Sequence, residues 1–330
     1  MIISRTPYRV SFFGGGTDYP QWYNQNPGAV LTTTIDKYCF ISCRTLPQFF
    51  EHKYRIVYSV IESINSLKEI QHPSVRETLI WKQISDGLEI HHDGDLPARS
   101  GLGSSSSFTV GLINALEAYC GKLISKKELA KNAIHIEQDL IKENVGSQDQ
   151  IATAYGGLNK IKFFNDQFDV SPIIISKKRQ QNLNNHLMLF FTGTTRIASE
   201  IAIHHISNIN KKNNELILMY QMVNEAVKIL QQEDISLNDF GYLLHESWKL
   251  KKSLSDKVSN SHIDSIYETA IRAGALGGKV LGAGGGGFMI FFVPIDKQNN
   301  VKEHLKDLVH VPFKFEHQGS NVVLYEPNGL

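Results

Sequence analysis

Three glycine-rich clusters limit what this chain can become: Gly14-Gly15-Gly16, Gly101-Leu102-Gly103 followed by Ser104-Ser105-Ser106-Ser107, and Gly282-Ala283-Gly284-Gly285-Gly286-Gly287. Glycine at such density is entropically costly, so it marks backbone that takes positive φ or approaches something closely. The middle cluster carries the most information. It precedes the apolar stretch from Phe108 to Tyr119, which reads as a helix. Its N–H groups are then the unsatisfied donors of a helix N-terminus, and with the helix dipole they favour phosphate. The serines add hydroxyls that can bond phosphate oxygens or ligate magnesium. A serine-rich cap on an ordinary helix would show the same letters, so this loop does not decide the matter alone.

Familiar phosphate-binding schemes can be checked against the letters. No Gly-x4-Gly-Lys-Ser/Thr loop occurs. The protein-kinase set, His-Arg-Asp together with Asp-Phe-Gly, is absent as a set. No Gly-x-Gly-x-x-Gly turn leads from a strand into a helix with a downstream acid. Phosphate here requires another arrangement.

Charge and cysteine usage narrow the partner. Lys plus Arg number 34 against 33 Asp plus Glu, a formal net charge of +1. That balance gives no long-range field for nucleic acid or an anionic membrane, so the partner is expected to be small. Cys39 and Cys43 lie in a strand-like run where residues four apart are about 13 Å apart, too far to bridge. With Cys120 they suggest no disulfide framework, and a reducing compartment is expected. The chain opens without a signal-peptide pattern, and no apolar run approaches the roughly 20 residues needed to cross a bilayer. Cytoplasmic location is the expectation.

Strand signals at 30–35, 38–45 and 54–60, a helix at 74–87, and a helix opened by the Ser125/Glu128 capping box fill the first half. Strands follow at 158–164 and 168–175. The polar segment Lys177–Asn185 reads as turn-prone, and the boundary is placed there, giving domains 1–184 and 185–330. The second part opens on a strand at 187–192. Helical stretches follow at 196–232, 237–256 and 261–273, then a strand, the third glycine cluster and the strand Phe288–Val293. A helix near 297–308 and strands near 311–317 and 321–325 close the chain. This order predicts an α+β fold. His91-His92 and His204-His205 lack a third ligand at useful spacing and are read as structural. Tyr8, Phe12, Phe13, Phe49 and Phe50 are read as core, and the apolar positions in 212–232 as a packed helix face.

Pro7-Tyr8-Arg9-Val10-Ser11-Phe12-Phe13-Gly14-Gly15-Gly16-Thr17-Asp18 resembles the first motif of the galactokinase, homoserine kinase, mevalonate kinase and phosphomevalonate kinase (GHMP) superfamily. Pro97-Ala98-Arg99-Ser100-Gly101-Leu102-Gly103-Ser104-Ser105-Ser106 resembles its phosphate-binding motif, and Lys279-Val280-Leu281-Gly282-Ala283-Gly284-Gly285-Gly286-Gly287 its third. The resemblance implies a fold of two domains: an N-terminal one like the second domain of ribosomal protein S5, and a ferredoxin-like C-terminal one. It also implies an active site where the loops meet.

Residue roles follow from the same resemblance. Asn144–Gln150 matches the segment that carries the family's catalytic aspartate, pointing to Asp149, whose plain alternative is a helix N-cap. Glu137 and Ser104 stand at the places of magnesium ligands, the alternative for Glu137 being a solvated helix glutamate. Arg9 matches the basic residue beside the aspartate; otherwise it is a structural arginine at a strand end. Gly101, Leu102, Gly103, Ser104, Ser105 and Ser106 would bind the ATP phosphates. Asp18, Gly15, Gly16, Thr17, Gly284 and Gly285 would meet the substrate, with Arg196 and Lys37 as candidates for an anionic group on it. ATP and Mg²⁺ are the implied cofactors and a sugar phosphate the implied partner, without nucleic acid or membrane; a homodimer stays open.

The Gly-Gly-Gly-Thr-Asp form resembles the branch containing heptose 7-phosphate kinases, fucokinases and glucuronokinases. The run Gly28–Tyr38 and the chain length most resemble the heptose 7-phosphate kinases, which phosphorylate the anomeric hydroxyl to give a 1,7-bisphosphate. A free-sugar kinase is the alternative within enzymes, and a catalytically silent ATP- and sugar-binding sensor the alternative outside them. Retention of Asp149, Glu137, Ser104 and Arg9 together argues against the sensor.

Overall fold

In the computed structural model, which describes residues 1–194 and 198–327, the chain opens on a twelve-residue strand, β1 (Ile2–Phe13). There follow α1 (Pro20–Tyr23), β2 (Gly28–Thr45), β3 (Tyr54–Val57), β4 (Ile61–Ile64), α2 (Pro73–Trp81) and β5 (Leu88–Gly94). The middle of the chain forms α3 (Ser104–Tyr119), α4 (Lys126–Ile134), α5 (Gln148–Tyr155), β6 (Asn159–Phe164) and β7 (Gln167–Pro172). Then come α6 (Lys177–His186), β8 (Leu187–Phe191), α7 (Ala198–Asn208), α8 (Asn213–Gln231), α9 (Asn238–Ser253) and α10 (Ser261–Arg272). The chain ends in β9 (Gly277–Val280), β10 (Phe288–Phe292), α11 (Gln298–His304), β11 (Val309–His310), β12 (Phe315–Glu316) and β13 (Asn321–Tyr325).

Among the described residues these strands make two sheets. The first runs β13-β1-β2-β5-β3-β4, with β6 and β12 also on the long β2 and β7 on β6. The second is antiparallel in the order β11-β8-β10-β9. The last two strands return to the first sheet, Ile2 facing Tyr325 and Phe315 facing Ile35. A cut at 184/185 therefore does not separate the two sheets: residues of the expected second domain complete the first one.

β1 is buried along nearly its whole length because both faces are covered. The inner end packs Phe12 and Phe13 edge-on against Phe240 of α9, ring centroids 5.4 and 5.1 Å apart. A single core thus joins the first sheet to the second half of the chain. The Asp239-Phe240-Gly241 letters lie in the first turn of α9, where Phe240 is fully buried packing and not part of a metal-binding loop. Leu216, Met219, Val223, Ala226, Ile229 and Leu230 bury one face of α8, the packed face anticipated for 212–232.

Two further expectations fail. The segment Lys177–Asn185 is helical: Ser176 caps α6 by accepting from the Arg179 N–H at 3.1 Å. Arg179 is buried and donates to the carbonyls of Ile229, Leu230, Gln232 and Ile235, so it satisfies the C-terminal end of α8. Phe49 and Phe50 are not core; they sit in the loop after β2, 96% and 45% exposed.

Candidate active site

The three glycine loops converge on a cavity of about 250 Å³. Their glycines are needed because backbone meets backbone. Gly101 has φ +86°, and a Cβ there would lie 2.4 Å from the Leu281 carbonyl oxygen. A Cβ on Gly282, at φ +69°, would lie 2.7 Å from the Gly101 Cα. The second and third loops are therefore interlocked, with no room for a side chain at the crossing. Gly284 and Gly285, expected beside the substrate, do not line the cavity; they pack on Val258, whose carbonyl accepts the Gly285 N–H at 2.9 Å. Close packing against the α9–α10 connection accounts for those two glycines.

Arg9 and Asp149 form the centre of the site. Arg9 Nε donates to Asp149 Oδ1 at 2.7 Å and Nη2 to Oδ2 at 2.6 Å, a bidentate pair. Arg9 is 3% exposed and Asp149 23%, so the carboxylate is the partner that reaches the open cavity. Arg9 also holds the phosphate-type loop: Nη1 donates to the Gly101 carbonyl at 2.6 Å and its N–H to the Leu102 carbonyl at 3.0 Å. Asp149 lies in the first turn of α5, but the cap position belongs to Ser147 and the Asp149 carboxylate bonds Arg9. The helix-cap alternative does not describe it.

Asp18 is 1% exposed and lines the same cavity. Its Oδ1 accepts from Gly16 N–H at 2.8 Å and its Oδ2 from Gln148 Nε2 at 2.9 Å. Burial raises its pKa, with Asp149 adding to the effect against those hydrogen bonds. Gly15 and Gly16 line the cavity; Thr17 does not, and staples the turn by donating to the Gly14 and Ala29 carbonyls. Two further groups escaped the sequence reading. Ser11 Oγ and Gln148 Oε1 belong to cavity-lining residues and are buried with no hydrogen-bond partner. Orphaned polar atoms at a cavity wall are what a polyhydroxyl ligand satisfies.

Gly101, Gly103, Ser104, Ser105 and Ser106 line the cavity where α3 begins, whereas Leu102 turns into the core. Glu137 is 1% exposed, and its partner is Ser106, not Ser104: Ser106 Oγ donates to Oε2 at 2.9 Å and Gln150 Nε2 at 2.5 Å. Ser104 Oγ instead accepts from the Arg99 N–H at 3.1 Å. Two residues along a helix turn a side chain by about 200°, so Ser104 and Ser106 point apart. Burial presses the Glu137 pKa up to about 7, and its Oε1 has no partner. A buried carboxylate oxygen without a donor, beside a hydroxyl, fits a hard cation such as Mg²⁺. Arg99 and Glu143 also line the cavity.

Lys37 is not brought to the site. It pairs with its neighbour Asp36, Nζ to Oδ1 at 3.2 Å, at the part of β2 that runs away from the glycine turn. Arg196 lies outside the described residues. Two other lysines do line the cavity, Lys251 of α9 and Lys279 of β9, and neither was singled out from the sequence.

No helix among the described residues is long and apolar enough to cross a membrane. Comparison with known proteins agrees with the architecture. Residues 58–157 match the GHMP kinases N terminal domain, and residues 225–310 match the GHMP kinases C terminal domain. D-glycero-alpha-D-manno-heptose 7-phosphate kinase of Campylobacter jejuni is 32% identical over 335 residues, covering 96% of this chain and 97% of that protein. The fold matches the crystal structure of a D-glycero-D-manno-heptose 1-phosphate kinase from Bacteroides thetaiotaomicron with a TM-score of 0.78, at 22% identity over 99% of this chain and 100% of the other. It also matches Lactococcus lactis galactokinase complexed with galactose, TM-score 0.74 at 20% identity, over 97% and 94% of the chains. With two-domain kinase architecture, converging glycine loops and family matches in both halves, the chain belongs to the GHMP kinases.

Proposed function

We propose that this kinase transfers the γ-phosphoryl group of ATP to the anomeric hydroxyl of D-glycero-D-manno-heptose 7-phosphate, giving the 1,7-bisphosphate. The observation that carries the reaction type is the Arg9–Asp149 pair facing a cavity that ends on the N-terminus of α3. The substrate reading is supported by the similarity to the Campylobacter jejuni kinase along nearly the whole of both chains.

The chemistry follows from the residues. The N–H groups and hydroxyls at Gly103, Ser104 and Ser105 receive the ATP phosphates at the start of α3. Asp18, Ser11 and Gln148 orient the sugar through its hydroxyls. Asp149 orients the attacking hydroxyl and accepts its proton as the phosphoryl group arrives. Arg9 holds Asp149 in place by its two-point contact, and its tie to Gly101 fixes that carboxylate relative to the phosphate loop. Magnesium, held by Glu137 and the α3 serines, would neutralise charge on the ATP phosphates.

Two measurements test this. ADP release across a panel of sugars should show heptose 7-phosphate used at least ten times better than the same sugar without phosphate, because a charge-assisted phosphate contact is worth about 1.5–3 kcal/mol. Equal turnover of a neutral sugar such as fucose would replace the reading with a free-sugar kinase. Separately, Glu137→Gln and Ser106→Ala should each raise the Mg²⁺ concentration for half-maximal rate several-fold. Unchanged magnesium dependence in both would remove the metal from this corner.

A further inference from the structure

We propose that Lys251 and Lys279 together form a buried two-amine site for a phosphate group in the cavity wall. The choice of which phosphate arrives rests on the kinase reading above; the existence of the site does not.

Both amines are inside the protein, at 8% and 2% exposure. Lys251 Nζ donates to the carbonyls of Val280 at 3.0 Å and Gly282 at 2.6 Å, and Lys279 Nζ to the carbonyl of Phe12 at 2.9 Å. An ammonium has three donors, so N–H capacity remains on each. Neither makes an ion pair with a carboxylate among the described residues. The charged groups acting on them from neighbouring elements are Arg9 of β1, Asp18 of the glycine turn and Asp149 of α5, besides each other. Arg9 is already matched by Asp149, and Asp18 is satisfied by Gly16 and Gln148. Arg99 and Glu143, the other charged side chains of the cavity, act on one another.

Charging two buried amines that have no carboxylate ion-pair partner is costly, and leucine or methionine would fill the same space without that cost. The arrangement becomes favourable once an anion enters. Burial, then Arg9, presses Lys251 down to about 7; burial, then Lys251, lowers Lys279 well below the usual range. A phosphate dianion matches two amines in charge, and its tetrahedral oxygens can meet donors from α9 and β9 together. The phosphate is either the one the sugar already carries or the γ-phosphate of ATP.

Binding calorimetry separates these sources. Wild type, Lys251→Met and Lys279→Met are titrated at pH 8 with D-glycero-D-manno-heptose 7-phosphate and, separately, with magnesium AMPPNP, each in two buffers of different ionisation heat. An amine that charges on binding takes up a proton, so the heat should depend on buffer in wild type, and the dependence should shrink in each variant. Affinity for the ligand concerned should fall 10- to 100-fold. If the sugar phosphate shows both effects, the site holds the substrate's phosphate; if the nucleotide does, it holds the γ-phosphate. If neither ligand shows proton uptake and no affinity changes more than twofold, the site is overturned, whether or not the wild type turns over the sugar. Wild type that shows the nucleotide effect but no sugar-phosphate turnover would instead sink the substrate reading alone. Lys251→Gln and Lys279→Gln, which keep a donor for the backbone carbonyls, serve where a methionine variant does not fold.

Discussion

Asp149→Asn should lower kcat by about two or more orders of magnitude while magnesium–ATP still binds. Asparagine has nearly the same shape, so the phosphate loop and its serines keep their geometry. What disappears is the proposed proton acceptor and the negative charge that Arg9 faces. Arg9 is 3% exposed, and leaving it without a counter-charge destabilises the fold as well. The double variant Asp149→Asn with Arg9→Gln separates the two effects: it should recover stability relative to the single variant and recover no turnover. A folded Asp149→Asn protein with near-normal kcat would take this residue out of the chemistry.

What the letters disclosed depended on how local the signal was. The glycine clusters and the α3 helix were legible because their causes lie within a few residues. β1 was not picked out as a strand. Pro7 lacks a backbone donor and argues against a central strand, but β13 pairs only Ile2–Arg5, so at Pro7 β1 meets β2 alone. The structure accommodates it where the β1–β2 register shifts between Pro7 and Tyr8. Ser104 and Ser106 are indistinguishable as letters in a run of four serines; only the helix phase shows which one meets Glu137. Lys251 stands in the lysine-rich run Lys249-Leu250-Lys251-Lys252. Phe240, Leu244, Ser247, Trp248 and Lys251 are nevertheless all buried on α9, at spacings of four, three, one and three. That periodicity places Lys251 on the buried face, and it was available in the sequence. Lys279 gave no such sign, since its burial depends on β1 supplying the Phe12 carbonyl from far along the chain.

The interlocked loops yield the other large effect. Gly101→Ala or Gly282→Ala should reduce kcat/KM by about 100-fold, because roughly an ångström of displacement at a catalytic loop is enough for a loss of that size. The alanine methyl of the first would stand 2.4 Å from the Leu281 oxygen, and that of the second 2.7 Å from the Gly101 Cα. Both obstacles are backbone, so the loops themselves must separate. Arg9 grips the Gly101 carbonyl, and Lys251 grips that of Gly282, so the displacement passes directly to groups facing the cavity. Both positions also have positive φ, which by itself costs alanine about 1–2 kcal/mol of stability. Gly121→Ala supplies the control: its φ is +69°, equal to that of Gly282, but no atom lies within 4 Å of its added Cβ. It should lose stability by a similar strain and keep its activity. If Gly121→Ala loses turnover as Gly282→Ala does, backbone strain alone explains the loss; if Gly282→Ala keeps full turnover, the loop crossing does not position the site.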